Sequence, residues 1–367
     1  MNDTLRRVFD EQGQSPWLDN LQRSYITNGT LHQLVRDGVR GLTSNPTIFQ
    51  KAIQGSNDYD EQFFGLVRSG VSVEDAYWQL VISDINSALD VFHDLYTQSK
   101  GTDGFVSVEV DPSLARDGDA TLAAARALHE RINRPNAMIK IPATEQGLPA
   151  IRQMITEGRN VNVTLIFSLD RYAQVIEAFI AGLEDRAQKG LSVEGISSVA
   201  SFFISRVDNE IDKQLDALNT AEALNLKGKS AINQARLAYQ LFATQFSGPR
   251  WDALASKGAQ VQRPLWASTS TKNPSYPDTL YVDELIGPHT VNTLPEPTLM
   301  AFADHGTVAH TIKKSIDTSQ QEWSSLETFN IDVNNIAQQL EDDGVASFIA
   351  SFNDLINALK DKAQNAS

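Results

Sequence analysis

Short apolar runs, rich in β-branched and aromatic residues, alternate with longer segments of helical period from near the start of the chain to about residue 300. The runs predict strands at 15–18, 39–43, 104–110, 137–141, 161–167, 198–204, 264–268 and around Val291. Amphipathic helices are predicted between them, at 72–98, 121–132, 169–189 and 231–246. The first opens Ser72-Val73-Glu74-Asp75 in the manner of a capping box and carries Ala76, Leu80, Ala88 and Phe92 on its face. Eight strand–helix units predict an α/β protein with a parallel sheet, and eight is the number that closes a (β/α)8 TIM barrel. An open doubly wound sheet is the alternative, but no G-x-G-x-x-G follows the first strand.

No linker, low-complexity tract or internal repeat cuts the chain, so residues 1–367 read as a single barrel domain with additional N- and C-terminal helices. The pattern changes near Asp332. Val345, Phe348, Ile349, Phe352, Leu355, Ile356 and Leu359 fall at helical spacing and make one apolar stripe. We read 332–367 as a helical extension packed across the outside of the barrel, with a position over its mouth as the alternative.

Composition narrows the class. A hydrophobic content of 41% and a charged content of 21% describe an ordinary globular chain. No apolar stretch is long enough to span a bilayer, and the polar start lacks the apolar core of a signal peptide. Without cysteine the chain has no disulfide, thiolate metal site or thiol nucleophile, which fits a cytoplasmic protein. A formal net charge of −15 argues against nucleic acid or an anionic membrane as partner. An anionic substrate would need a local pocket of cations to overcome that field.

The candidate chemistry centres on Met138-Ile139-Lys140-Ile141-Pro142-Ala143-Thr144, which places a lone lysine in an otherwise uncharged run. Lysine is rarely buried without a partner or a purpose. Desolvation disfavours an ammonium ion, and a neutral amine can attack a carbonyl to form a Schiff base. Lys140 is thus a candidate nucleophile, the alternatives being a snorkelling side chain or a carboxylate's partner. Other strand ends carry polar residues two apart, which share a face of a strand. These are Thr43 and Asn45, Ser107 and Glu109, Asn162 and Thr164, and Ser201 with Phe203; Trp266, Ser268 and Ser270 alternate in the same way. Buried polar groups cost free energy unless paired, so this set around one lysine suggests an active site.

Thr43-Ser44-Asn45-Pro46-Thr47, Glu109 ahead of Asp111, Lys140-Ile141-Pro142-Ala143-Thr144, Asn162-Val163-Thr164-Leu165-Ile166-Phe167-Ser168 and Ser201-Phe202-Phe203-Ile204-Ser205-Arg206 together resemble the transaldolase family. The resemblance runs from about residue 15 to 310, and the 266–272 segment is similar to the longer bacterial branch. It implies a barrel of the class I aldolase type that needs no cofactor or metal. The enzyme would move a dihydroxyacetone unit from a ketose phosphate (sedoheptulose 7-phosphate or fructose 6-phosphate) to an aldose phosphate, in the non-oxidative pentose phosphate pathway. Lys140 would be the Schiff-base lysine, and Asp19 the base that takes and returns the C4 hydroxyl proton. Glu109 and Thr164 would act through a water in Schiff-base formation and release. Asn45 and Asn162 would hold hydroxyls of the three-carbon fragment, with Thr43 and Ser201 in the same pocket. Arg206, Lys272 and Ser268 would bind phosphate, Lys272 standing two residues beyond the arginine of shorter members. Phe203 would favour transfer, since aldolase-leaning relatives carry tyrosine there. Taken alone, Asp19 also reads as a solvated loop carboxylate, Glu109 as an ion-pair partner of Lys140, and Phe203 as a core aromatic.

Ala223-Leu224-Asn225-Leu226-Lys227-Gly228-Lys229-Ser230 ends like a phosphate-binding loop but lacks its first glycine and a preceding strand. The six histidines form no H-x-H or H-E-x-x-H pattern, and no serine–histidine–acid triad stands out. The expected partners are small sugar phosphates, for a monomer or homodimer. An aldolase releasing dihydroxyacetone to water and a non-catalytic sugar-phosphate sensor are the rival readings.

Overall fold

The computed structural model describes residues 3–364, so the ends of the predicted single domain and of its tail, 1–2 and 365–367, lie outside the described residues. Eight parallel strands close into a barrel in sequence order: β1 (Gln14–Asp19), β2 (Gly41–Thr43), β3 (Phe105–Glu109), β4 (Ala137–Pro142), β5 (Val161–Ile166), β6 (Ser198–Phe203), β7 (Arg263–Ala267) and β8 (Thr290–Leu294). The strand face pointing outward meets helices and the other fills the barrel, so β3 to β6 are buried at every position. Helix starts follow local chemistry. Ser72 accepts from Asp75 N (3.1 Å) ahead of Val73–Gln98, Asp117 caps Gly118–Ile132, and Ser168 caps Leu169–Gln188. An extra helix, Thr4–Gln12, precedes β1 and ends at Gly13 in the left-handed region (φ 69°).

The floor of the barrel is ionic. Asp103 is fully buried and accepts from Arg40 Nε (2.7 Å), Arg263 Nη2 (3.2 Å) and Ser15 Oγ (3.0 Å), tying the starts of β1, β2, β3 and β7 together. Gly41 lets the buried Trp17 indole lie against β2, since a Cβ there would strike that ring.

Two non-glycine residues at the opposite end of the barrel adopt left-handed backbone, Leu165 (φ 60°) and Ser268 (φ 56°). Leu165 sits in a β-bulge, where the β5–β6 register slips between Val163 and Ile166. Such conformations cost on the order of 1–2 kcal/mol each and concentrate at functional sites. Ser268 overturns one sequence expectation. Trp266, Ser268 and Ser270 do not share a face: Trp266 packs outward on Phe202 (ring centroids 6.3 Å), while Ala267 and Ser268 both line the central cavity. The left-handed turn at Ser268 breaks the alternation that strand periodicity implies.

The tail forms one long helix, Val333–Gln364. Its apolar stripe is buried as the spacing predicts, but against Pro46–Gln54, Val73–Gln98 and Ser205–Leu218, and it reaches the ends of the strands at β5. It therefore crosses the mouth of the barrel instead of lying on its outer wall. Periodicity specifies that one face is covered and says nothing of what covers it.

Candidate active site

A cavity of about 590 Å³ opens at the C-terminal ends of the strands. Asp19 of β1, Thr43 of β2, Lys140 of β4, Thr164 of β5, Ser201 and Phe203 of β6, Ala267 at the end of β7 and Thr293 of β8 all line it. In parallel barrels this end carries the chemistry.

Lys140 and Glu109 are register partners across β3 and β4, each only 4% exposed. Nζ stands 3.2 Å from Glu109 Oε2 and 3.4 Å from the Ser44 carbonyl. Beyond that ion pair neither Glu109 oxygen has a hydrogen-bond partner among the described residues, and neither has the Thr164 hydroxyl. Unpaired buried polar atoms at one place are a signature of a site built for water or ligand. Burial pushes the Glu109 carboxyl above its usual range, with Lys140 pulling it back and Asp19 pushing it further. Asp19, on the far wall, is raised by burial too, against the charges of Lys140 and Arg206 and a 2.6 Å hydrogen bond from Thr43 Oγ1. Thr43 Oγ1 also lies 2.6 Å from Thr293 Oγ1, so β1, β2 and β8 hold the Asp19 carboxylate together.

Below Lys140 the polar groups are consumed by one another. Asn162 Nδ2 donates to Ser107 Oγ (3.0 Å), and Ser201 Oγ donates to Asn162 Oδ1 (2.7 Å). Asn162 is fully buried and does not line the cavity, whereas Ser201 does. Asn45 lies beyond the end of β2. Its Oδ1 accepts from Ile48 N (3.0 Å) as the cap of Pro46–Gln54, and Asn45 lines the cavity with its amide nitrogen free of hydrogen bonds among the described residues.

Cations gather at the other side. Arg206 lines the cavity, its guanidinium 5.3 Å from the Phe203 ring centroid, with no hydrogen bond or ion pair among the described residues. Burial lowers its pKa from the usual guanidinium value, against the pull of Asp19 and Asp343. Ser268 Oγ lies 2.9 Å from Ser205 Oγ, beside Arg206. Lys272 is exposed at the rim and donates to Ser270 Oγ (2.8 Å). An acidic protein thus presents a pocket with four cationic side chains, the fourth being Lys51.

Sequence reasoning missed Lys51, Thr293, Ser347 and Phe348 among the cavity residues. Thr293 carried a usable signal, a polar residue ending an apolar strand ahead of Pro295; Lys51 carried none. The phosphate-loop look-alike serves the chain's own carboxylates: Gly228 N donates to Asp212 (3.1 Å) and Ala231 N to Asp208 (2.9 Å). No histidine lines the cavity, and among the described residues no group of three or more histidine and acidic side chains is arranged to hold a metal. No helix of the described residues is long and apolar enough to cross a membrane.

The profile of the Transaldolase/Fructose-6-phosphate aldolase family matches residues 16–359. A protein of Frankia alni named Transaldolase is 50% identical over 349 residues, covering 95% of this chain and 94% of the relative. Transaldolase 1 of Streptomyces avermitilis is 48% identical over 359 residues, covering 97% and 95%. The Transaldolase of Thermobifida fusca is 48% identical over 359 residues, covering 97% of each chain. Profile and relatives span the strands that build the cavity, and the chain belongs to the transaldolase/fructose-6-phosphate aldolase family.

Proposed function

We propose that this chain is a transaldolase that carries dihydroxyacetone from a ketose phosphate to an aldose phosphate on Lys140. The observation that carries the reading is a buried lysine–glutamate pair whose lysine lines a cavity together with an unpaired threonine hydroxyl, a raised aspartate and an unpaired guanidinium. The Lys140 amine adds to the C2 carbonyl and loses water, giving a cationic imine. Asp19 takes the C4 hydroxyl proton as the C3–C4 bond breaks, its electrons flowing into the imine. The product aldose leaves and an enamine stays on Lys140. Its C3 attacks the acceptor aldehyde, Asp19 returns the proton, and water cleaves the new imine. Glu109 and Thr164 are suited to hold the water that is lost and regained, since neither Glu109 oxygen nor the Thr164 hydroxyl has another hydrogen-bond partner among the described residues. Asn45 and Ser201 fit the hydroxyls of the three-carbon fragment, while Asn162 and Thr43 fit a supporting role through Ser201 and Asp19. Phe203 packs against Arg206, which with Ser268 and the rim residue Lys272 suits the phosphate. The reading carries with it a cytoplasmic setting.

Borohydride reduction with fructose 6-phosphate, followed by peptide mass mapping, tests it. A reduced three-carbon adduct on the Lys140 peptide is expected. No adduct, or one on another lysine, refutes the assignment.

A further inference from the structure

We propose that Phe348, on the tail helix Val333–Gln364, is a positioning residue that keeps water from protonating the enamine held on Lys140, so that the three-carbon fragment departs by transfer and not by hydrolysis. The inference rests on the function proposed above. Phe348 lines the cavity, is 4% exposed, and places its ring centroid 5.8 Å from Lys140 Nζ. No other aromatic ring lies that near the nucleophile among the described residues. Phe203 packs instead against Phe167, its ring tilted by 46° with centroids 5.1 Å apart, and against Arg206.

The helix holds Phe348 at that place through contacts with the segments that carry the site. Gly344 lies so close to Leu165 and Arg206 that a Cβ would meet Leu165 Cδ2 at 3.0 Å and Arg206 Nη1 at 3.6 Å. Ser351 Oγ lies 2.7 Å from Thr47 Oγ1, two residues beyond Asn45. Glu341 accepts from Arg116 Nη1 (2.8 Å) and pairs with Arg171 Nη2 (3.6 Å), which follow β3 and β5. Phe352, one turn on, packs edge-on against Tyr77 (5.4 Å). The ring is therefore a fixed wall of the site.

That wall acts on the intermediate in two ways. A ring face within about 6 Å of a cation stabilises it, and the imine is cationic. An apolar side chain also denies water a place beside the enamine, from which a proton would reach C3. Hydrolysis needs the enamine to take a proton at C3. Water then adds to the iminium carbon, the C–N bond breaks, and dihydroxyacetone leaves with the Lys140 amine regenerated. Transfer puts the acceptor aldehyde at C3 in place of that proton, and water cleaves the imine only afterwards. Removing the ring admits the competing water without touching Asp19 or the phosphate side.

The experiment compares the wild type with Phe348→Leu, Phe348→Val and Phe348→Ala on fructose 6-phosphate. Dihydroxyacetone release is measured without acceptor, and sedoheptulose 7-phosphate formation with erythrose 4-phosphate. The ratio of release to transfer should climb as side-chain volume falls, roughly tenfold at alanine, the change that a barrier lower by about 1.4 kcal/mol gives. Leucine should restore most of the wild-type ratio. If alanine fails to fold, valine and leucine supply the series. A ratio that stays constant while both rates fall together marks Phe348 as packing only and overturns the proposal. A wild type that transfers nothing overturns the underlying function instead.

Discussion

Thr43→Val removes from the site one hydroxyl that bonds Asp19. The Thr43 hydroxyl is 1% exposed and donates to Asp19 Oδ1 at 2.6 Å. Valine keeps the shape and removes the hydroxyl, and with it the contact to Thr293 Oγ1. Hydrogen bonds to charged groups contribute about 1.5–3 kcal/mol. This bond stabilises the carboxylate form of Asp19, and one pKa unit corresponds to about 1.4 kcal/mol. Its loss should raise further an Asp19 pKa already pushed up by burial. Asp19 must be ionised to take the C4 proton, so activity falls as pH drops through its pKa. The acid limb of the kcat/KM profile should move to higher pH in Thr43→Val and stay in place in Thr43→Ser. The assay follows glyceraldehyde 3-phosphate release from fructose 6-phosphate with erythrose 4-phosphate across pH 5 to 9. Glu109 is the other raised carboxyl in the cavity region, and Thr43 makes no hydrogen bond to it. A limb that stays fixed while the plateau drops would therefore refute Asp19 as the controlling base.

Arg206→Ala should raise KM for fructose 6-phosphate about 10- to 100-fold, the loss of one charge-assisted phosphate contact, and leave the turnover of unphosphorylated fructose nearly unchanged. Equal losses on both sugars would remove Arg206 from the phosphate site. Away from the cavity, burial pushes Asp208 up to about 7, although Ala231 N and Tyr281 Oη (2.8 Å) donate to it. The folded protein keeps that proton to about pH 7, whereas the unfolded chain releases it near 3.8. Stability from this group is full below the lower value and is lost as pH rises through the upper one, on the order of 4 kcal/mol in total. Denaturant unfolding at pH 5 and pH 8 should show a smaller drop for Asp208→Asn than for the wild type; an identical drop counts against the assignment.

The strands were readable because a barrel strand is buried on both sides, so its apolar run stands out from the amphipathic helices around it. The predicted segment 39–43 shrinks to Gly41–Thr43 and 104–110 to Phe105–Glu109, since strand ends depend on register with neighbours far along the chain. Lys140 was readable for the same reason, as a single charge in a run of buried positions. Its companions were placed on the right strand ends, but Asn162 turned out to be spent on Ser107 and Ser201, because spacing fixes a side and not a depth.

By itself the sequence determined the number and order of the strand–helix units and which polar residues face inward, because side-chain period and burial are properties of each segment alone. Three things were left to the tertiary structure. Glu109 faces Lys140 through the β3–β4 register, Ser268 reaches the cavity because a left-handed turn follows β7, and Phe348 reaches Lys140 because the tail helix lies over the mouth. Each depends on which surfaces pack together across more than thirty residues of chain, and no local pattern encodes that choice.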